Sequence, residues 1–261
     1  MPRFAANLSM LFNEVPFLDR FDAAARAGFR GVEYLFPYAE DKYILKEKLE
    51  KNGLTQVLFN MPPGNWDGGE RGLACLPDRV GEFQDSVGKA IEYAKVLGNK
   101  QVNCLSGIRP SGVAEDKLRA TIIANLRFAA AEFEKAGILL IAEAINYLDM
   151  PGFYLNTSKQ AFGIFDEVGS GNLKFQYDIY HMQRMEGELA NTIKTNLNRI
   201  AHIQIADNPG RHEPGTGEIN YPFLFKWLDD IGYNGWVSCE YRPAGETVAG
   251  LGWLAAVPNR S

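Results

Sequence analysis

Short apolar runs and longer stretches with apolar positions at helical spacing take turns along this chain, and glycines fall where one gives way to the other. Phe4 to Ser9 reads as a first strand. Pro16 to Ala27 follows as an amphipathic helix with Phe17, Leu18, Phe21 and Ala24 or Ala25 on one face, stopped by Gly28. Gly31 to Tyr34 is a second strand with Glu33 near its end, and a helix over Lys42 to Asn52 stops at Gly53 before a third strand, Thr55 to Asn60. From Met61 to about Val80 the pattern lapses into a segment rich in Gly and Pro that carries Trp66, Glu70 and Arg71. A loop of that length inside a compact domain predicts a functional lid.

The alternation then resumes. Phe83 to Leu97 predicts a helix ending at Gly98, Gln101 to Leu105 a strand, Glu115 to Ala136 a long helix ending at Gly137, and Leu139 to Ala144 a fifth strand. Helices over Thr157 to Val168, Glu188 to Leu197 and Tyr221 to Ile231 lead into strands Leu173 to Asp178, Ile200 to Ile205 and Gly235 to Glu240, and Thr247 to Val257 closes the chain. Eight strands regularly separated by helices predict one α/β domain over residues 1–261, a parallel (β/α)8 TIM barrel rather than a doubly wound sheet.

Composition acts on this picture by exclusion. Of the 261 residues 46% are hydrophobic and 23% charged, as in an ordinary globular protein with a large core. The net charge is -5 and Lys and Arg are dispersed among acids, so no basic stripe offers itself to a phosphate backbone and no nucleic-acid partner is expected. No segment approaches the roughly 20 apolar residues of a membrane span, and the opening Met-Pro-Arg-Phe-Ala-Ala does not suit a signal peptide, so a cytoplasmic protein with no membrane partner is expected. Cys75, Cys104 and Cys239 lie far apart without C-x-x-C spacing and are expected as free thiols of a reducing compartment.

Candidate chemistry gathers at strand ends. Leu173 to Asp178 is a strand that finishes on an acid, and a carboxylate there is costly to bury unless something positive meets it. In a parallel barrel the active site lies at the carboxyl ends of the strands. Four consecutive strands finish on oxygen-bearing polar groups, Glu143, Asp178, Gln204 and Glu240, separated by 35, 26 and 36 residues, each interval holding one helix with its loops. All four are expected to face one axial point. Three converging carboxylates would repel one another unless a cation joined them, and an all-oxygen donor set favours Mg2+ or Mn2+ over zinc.

Strand alternation turns Gln176 inward with Asp178 and His202 inward with Gln204, where they are expected to hydrogen-bond and orient the ligating groups from the layer below. His181, three residues past Asp178 and expected in a loop at the site rim, is placed to donate to a substrate oxygen. Arg211, on the loop after the seventh strand, is the candidate to grip a substrate carboxylate in bidentate fashion, whereas His212 is expected to be exposed. The glycines of Pro214 to Tyr221 lack the Lys-Ser/Thr of a phosphate loop, and neither a G-x-S-x-G nor a Rossmann fingerprint occurs. Trp66 and Phe153 are read as exposed apolar loop residues, serving either as a lid or as a subunit contact in a homo-oligomer.

These residues sit in long recognisable stretches. Arg3-Phe-Ala-Ala-Asn-Leu-Ser-Met10, Gln176-Tyr-Asp-Ile-Tyr-His-Met-Gln-Arg-Met-Glu-Gly-Glu-Leu189, Gln204-Ile-Ala-Asp-Asn-Pro209 and Pro214-Gly-Thr-Gly-Glu-Ile-Asn-Tyr221 resemble the hydroxypyruvate isomerase family of the xylose-isomerase-like TIM barrel superfamily over nearly the whole chain. The resemblance implies that Glu143 and Glu240 are the acid/base pair and that Glu143, Asp178, Gln204 and Glu240 ligate the metal. It implies a small hydroxy-oxo acid substrate, hydroxypyruvate interconverting with 2-hydroxy-3-oxopropanoate. A 2-oxotetronate isomerase and a ketose 3-epimerase are the nearest enzyme alternatives, and a barrel kept only for binding is a more distant one. Two departures are visible: many relatives carry His where Gln204 stands, and Pro where Ala144 follows the first glutamate.

Overall fold

The computed structural model describes residues 2–256. Its strands are β1 (Arg3–Asn7), β2 (Gly31–Glu33), β3 (Thr55–Leu58), β4 (Gln101–Cys104), β5 (Leu139–Glu143), β6 (Leu173–Asp178), β7 (Ile200–Ile205) and β8 (Trp236–Cys239). The helices between them are α1 (Arg20–Arg26), α2 (Lys42–Asn52), α3 (Val80–Leu97), α4 (Glu115–Lys135), α5 (Ser158–Val168), α6 (Ile179–Met185), α7 (Leu189–Thr195) and α8 (Tyr221–Asp230). One sheet holds all eight strands in the order β3-β2-β1-β8-β7-β6-β5-β4, so chain neighbours are sheet neighbours and the first strand lies beside the last, the order of a (β/α)8 barrel. Among the described residues no helix is long and apolar enough to cross a membrane.

Internal packing divides the chain into two compact units. The first contains residues up to Leu35, Tyr43–Val57 and the chain from Tyr177 onward. Here β1 runs parallel to β2 with Asn7 opposite Glu33, and parallel to β8 with Ala6 opposite Cys239; β7 joins β8 with Gln204 opposite Ser238. That register carries polar side chains to the strand ends while Ala5, Ala6, Val237 and Ile203 are fully buried beneath them. Gly31 opens β2 because a Cβ there would come within 2.7 Å of the Trp236 ring.

The second unit contains Phe36–Lys42 and Leu58–Gln176. Its strands β4 and β5 are parallel, and β5 pairs with β6 so that Glu143 stands opposite Gln176. α3 buries Phe83, Val87, Ala90, Ala94 and Leu97, a helical stripe that Gly98 ends with φ of 69°. The irregular stretch before α3 is fastened rather than loose: Gly72 N–H donates to Pro63 O at 2.9 Å, Cys75 N–H to Ser106 O at 2.8 Å, and Asn125 Nδ2 to Ala74 O at 2.9 Å.

Five expectations are corrected. The loop expected after Asp178 is helix α6, which begins at once because the Asp178 carboxylate accepts N–H bonds from Tyr180 at 2.8 Å and His181 at 3.3 Å. His181 is therefore a buried first-turn residue instead of a rim residue. Phe153 is buried rather than exposed, since its loop bridges to Ile108, and Trp66 is half-buried against Phe36 with ring centroids 4.8 Å apart. His212 is half-buried, its Nδ1 donating to Arg242 O at 2.7 Å. A 3-10 segment, Ala249–Ala256, closes the described chain, and the predicted end at Val257 lies outside the described residues.

Candidate active site

In the first unit the strand ends bring Asp178, His181 and Glu240 together, with one ligating atom from each lying within 4.8 Å of the others. Asp178 is the last residue of β6, His181 stands in the first turn of α6, and Glu240 follows β8, its N–H bonded to Ile205 O at 3.1 Å. The Asp178 carboxylate splits its work. Oδ1 caps α6, while Oδ2 is buried and has no hydrogen-bond partner among the described residues. A buried carboxylate oxygen is costly unless positive charge meets it, and here the Arg211 guanidinium lies 3.6 Å away. With His181 and Glu240, Asp178 makes a group of side chains that could hold a metal ion.

Arg211 supplies positive charge from the loop after β7. Its Nη2 donates to Glu240 Oε2 at 2.6 Å and lies 3.6 Å from Asp178 Oδ2 and 3.4 Å from His181 Nε2, while the guanidinium stands 5.1 Å from the centroid of the Tyr180 ring. The backbone at Arg211 has φ of 59°, a left-handed conformation that costs a long side chain energy unless its surroundings enforce it. They do so here: Arg211 N–H donates to Asp207 O at 3.0 Å, Arg242 N–H to Arg211 O at 2.8 Å, and the Asp207 carboxylate gathers the N–H groups of Asn208, Gly215 and Ile219. Loop geometry of this kind aims one guanidinium at one place.

Beneath the ligating groups lies a residue that its sequence pattern places at a strand end without assigning it a role. Glu33 is buried, and its Oε1 accepts from Gln204 Nε2 at 2.8 Å and Asn7 Nδ2 at 2.9 Å, while His202 Nε2 meets its Oε2 at 2.8 Å. Burial pushes the Glu33 carboxyl up, but hydrogen bonding and charge from His202, together with the Gln204 amide, outweigh it and hold the group below the usual carboxylate range. An ionised carboxylate only accepts, so the His202 Nε2 carries the hydrogen. Asn7 also donates to Glu240 Oε1 at 3.2 Å, and its own Oδ1 is held by the Ser9 N–H at 3.0 Å. His202, expected to orient a ligating group directly, instead meets Glu33, which in turn meets Gln204.

In the second unit Glu143 ends β5 with both carboxylate oxygens bound by neutral amides, Oε1 by Asn103 Nδ2 at 2.9 Å and Oε2 by Gln176 Nε2 at 2.6 Å. Asn103 Nδ2 also donates to Asn60 Oδ1 at 3.0 Å. Gln176 thus stands where alternation placed it, beside a candidate ligand. Glu33 is legible in the sequence as a polar residue near a strand end, whereas Asn7 and Asn103 come to or next to the ends of their strands only because β1 and β4 stop earlier, at Asn7 and Cys104, than the apolar pattern predicts.

Comparison with known proteins places the chain in a family. Residues 21–257 match the family model described as xylose isomerase-like TIM barrel. The chain is 56% identical over 254 residues to hydroxypyruvate isomerase of Escherichia coli (strain K12), covering 97% of this chain and 98% of that one. It is 52% identical over 254 residues to 2-oxo-tetronate isomerase of Cupriavidus necator, with the same coverage of 97% and 98%. A solved structure from Brucella melitensis, described as an AP endonuclease of family 2, superposes with a TM-score of 0.96 at 46% identity over 99% of this chain and 100% of that one. By sequence and strand order, the chain belongs to the xylose isomerase-like TIM barrel family.

Proposed function

We infer that the chain is an isomerase of small hydroxy-oxo acids, and we propose that it interconverts hydroxypyruvate and 2-hydroxy-3-oxopropanoate. The observation that carries the reading is the grouping of Asp178, His181, Glu240 and Arg211, which pairs proton acceptors with a cationic grip for an acid. Support for the substrate class comes from the relatives named above. In the proposal Asp178, Gln204 and Glu240, joined by Glu143 on the strength of the family resemblance, hold a divalent ion, Mg2+ or Mn2+. When bound, that ion would supply Lewis-acid stabilisation of negative charge on the substrate oxygens.

The residues account for the rest. Arg211 binds the substrate carboxylate and so fixes which end of the three-carbon chain reaches the acids. His181, buried beside Asp178 at 3.4 Å, holds a substrate oxygen through Nε2. One glutamate removes a proton from C3 of hydroxypyruvate, giving an enediolate, and a proton is returned at C2 while the O3 hydroxyl proton passes to O2, so that ketone and alcohol exchange places. Glu240 and Glu143 take these two proton-transfer roles. The four-carbon 2-oxotetronate is the second substrate reading, favoured by the 52% identity to the Cupriavidus necator enzyme.

The test follows deuterium entering C3 of hydroxypyruvate by NMR in D2O, with and without Mn2+, beside the same measurement on 2-oxotetronate. Wild-type protein is expected to exchange the C3 proton faster than it labels the four-carbon acid. E143Q and E240Q, isosteric changes that remove a base, are expected to lower turnover by at least about 100-fold, the scale of general-base catalysis, with unchanged circular dichroism. Full activity in either variant would remove that glutamate from the mechanism.

A further inference from the structure

We propose that Glu33 is a positioning residue for the metal: its buried carboxylate locks the Gln204 carboxamide so that the oxygen, and never the nitrogen, is presented as ligand. The inference rests on the metal-site reading given above.

A glutamine has a difficulty as a metal ligand that Asp, Glu and His lack. Its two terminal atoms are nearly the same size, but only Oε1 has lone pairs for a cation, while Nε2 carries two hydrogens and would repel one. An amide free to rotate by 180° about its last bond would spend part of its time in the wrong state. Glu33 removes that freedom chemically. A carboxylate is acceptor-only, so the Gln204 atom 2.8 Å from Glu33 Oε1 must be the nitrogen, and the oxygen takes the other branch of the fork. A metal-bound imidazole is oriented the same way when its second nitrogen donates to a carboxylate; here an amide meets the same device.

Glu33 can do this only if it is itself immobile, and that condition is built in. His202 fixes Oε2 at 2.8 Å, Asn7 shares Oε1 at 2.9 Å, and all three side chains are buried. Asn7 extends the control to a second candidate ligand. Its Oδ1 is taken by the Ser9 N–H, so its Nδ2 faces acceptors, Glu33 Oε1 on one side and Glu240 Oε1 at 3.2 Å on the other. One carboxylate at the end of β2 therefore sets the orientation of Gln204 directly and is tied through Asn7 to Glu240.

The test measures Mn2+ affinity by electron paramagnetic resonance, independently of turnover, on wild type, E33Q and the exchanged pair E33Q/Q204E, with circular dichroism to verify folding. E33Q keeps volume but presents an amide that donates as well as accepts, so Gln204 can flip; its Mn2+ affinity is expected to fall by about 10–100-fold, the scale found when a ligand's hydrogen-bond partner is lost. In the exchanged pair the amide introduced on β2 donates to the carboxylate introduced on β7, whose two oxygens are equivalent, and the affinity is expected to return to at least the wild-type level. Mn2+ binding by E33Q within about threefold of wild type overturns the proposal and leaves the metal site standing. If E33Q alone does not fold, the exchanged pair decides, and a folded pair binding more than about tenfold weaker than wild type overturns it. Wild-type protein that binds no Mn2+ overturns both the proposal and the metal reading beneath it.

Discussion

At the scale of single residues, Arg211 shows how a side chain can be recognised by type and still be placed only by the fold. The sequence identified it as a candidate carboxylate grip from its loop after a strand end, but its left-handed backbone and its contact with Glu240 depend on Asp207, Arg242 and the turn between them. A charged hydrogen bond contributes about 1.5–3 kcal/mol, so R211M is expected to raise KM for hydroxypyruvate by about 10–100-fold and to leave KM for a neutral ketose within a few-fold, as steady-state kinetics on both substrates will show. Equal effects on acid and ketose would move Arg211 from substrate recognition to support of Glu240. The cysteines were simpler to read. All three are free and buried, and burial pushes the Cys75 and Cys104 thiols up to about 12. The thiolate is the reactive form, so native protein is expected to resist a thiol reagent at about pH 8 and to release three equivalents on denaturation. Glu33, by contrast, was visible only as an acid near a strand end; that it binds Gln204, Asn7 and His202 depends on pairings between strands far apart in the chain.

At the scale of elements, what was legible is what is written locally. β6 and β7 have the ends that the apolar runs predicted, and α2 runs over Lys42–Asn52 as expected, because glycines, strand-forming residues and helical periodicity act over a few residues. α6 was missed because seven residues are too few to establish a helical period, and its start is supplied by Asp178, whose role as a cap was masked by its more conspicuous role as an acid. α5 offers the cleaner case. Thr157 accepts from the Gln160 N–H at 3.1 Å and Gln160 reaches back to the Asn156 N–H at 3.0 Å, a reciprocal cap that the sequence Thr-Ser-Lys-Gln already spells. T157A is expected to lower stability by about 1 kcal/mol, seen as a lower urea midpoint at unchanged slope, whereas T157S, which keeps the acceptor oxygen, should stay near wild type.

At the scale of the whole molecule, the eight-strand order followed from counting alternations, yet which chemistry the strand ends perform is a question of what the entire surface and its charge can recruit. The three relatives reported above carry names of two kinds, acid isomerases and an endonuclease family, and a DNA-cleaving reading makes definite demands. It needs cationic side chains gathered along one face to release counterions from phosphates, and enough ligands for the metals that attack a phosphodiester. This chain has a net charge of -5 and three histidines in all. Two of these are engaged elsewhere, His202 with Glu33 and His212 with Arg242 O, which leaves His181 in the single metal-capable cluster among the described residues. An arginine seated on Glu240 and Asp178 suits a small anionic substrate drawn inside the strand ends, where one guanidinium is grip enough. Incubated with abasic-site duplex DNA and Mg2+, Mn2+ or Zn2+ at about 50 mM salt, where phosphate binding is strongest, the protein is therefore expected to leave the duplex intact on a denaturing gel and to shift none of it on a native one. Under the same buffer and metal, the C3 proton of hydroxypyruvate should exchange. Cleavage of the abasic strand that is lost in both D178N and E240Q would reverse the assignment, because it would tie phosphodiester chemistry to the carboxylates that the isomerase reading claims.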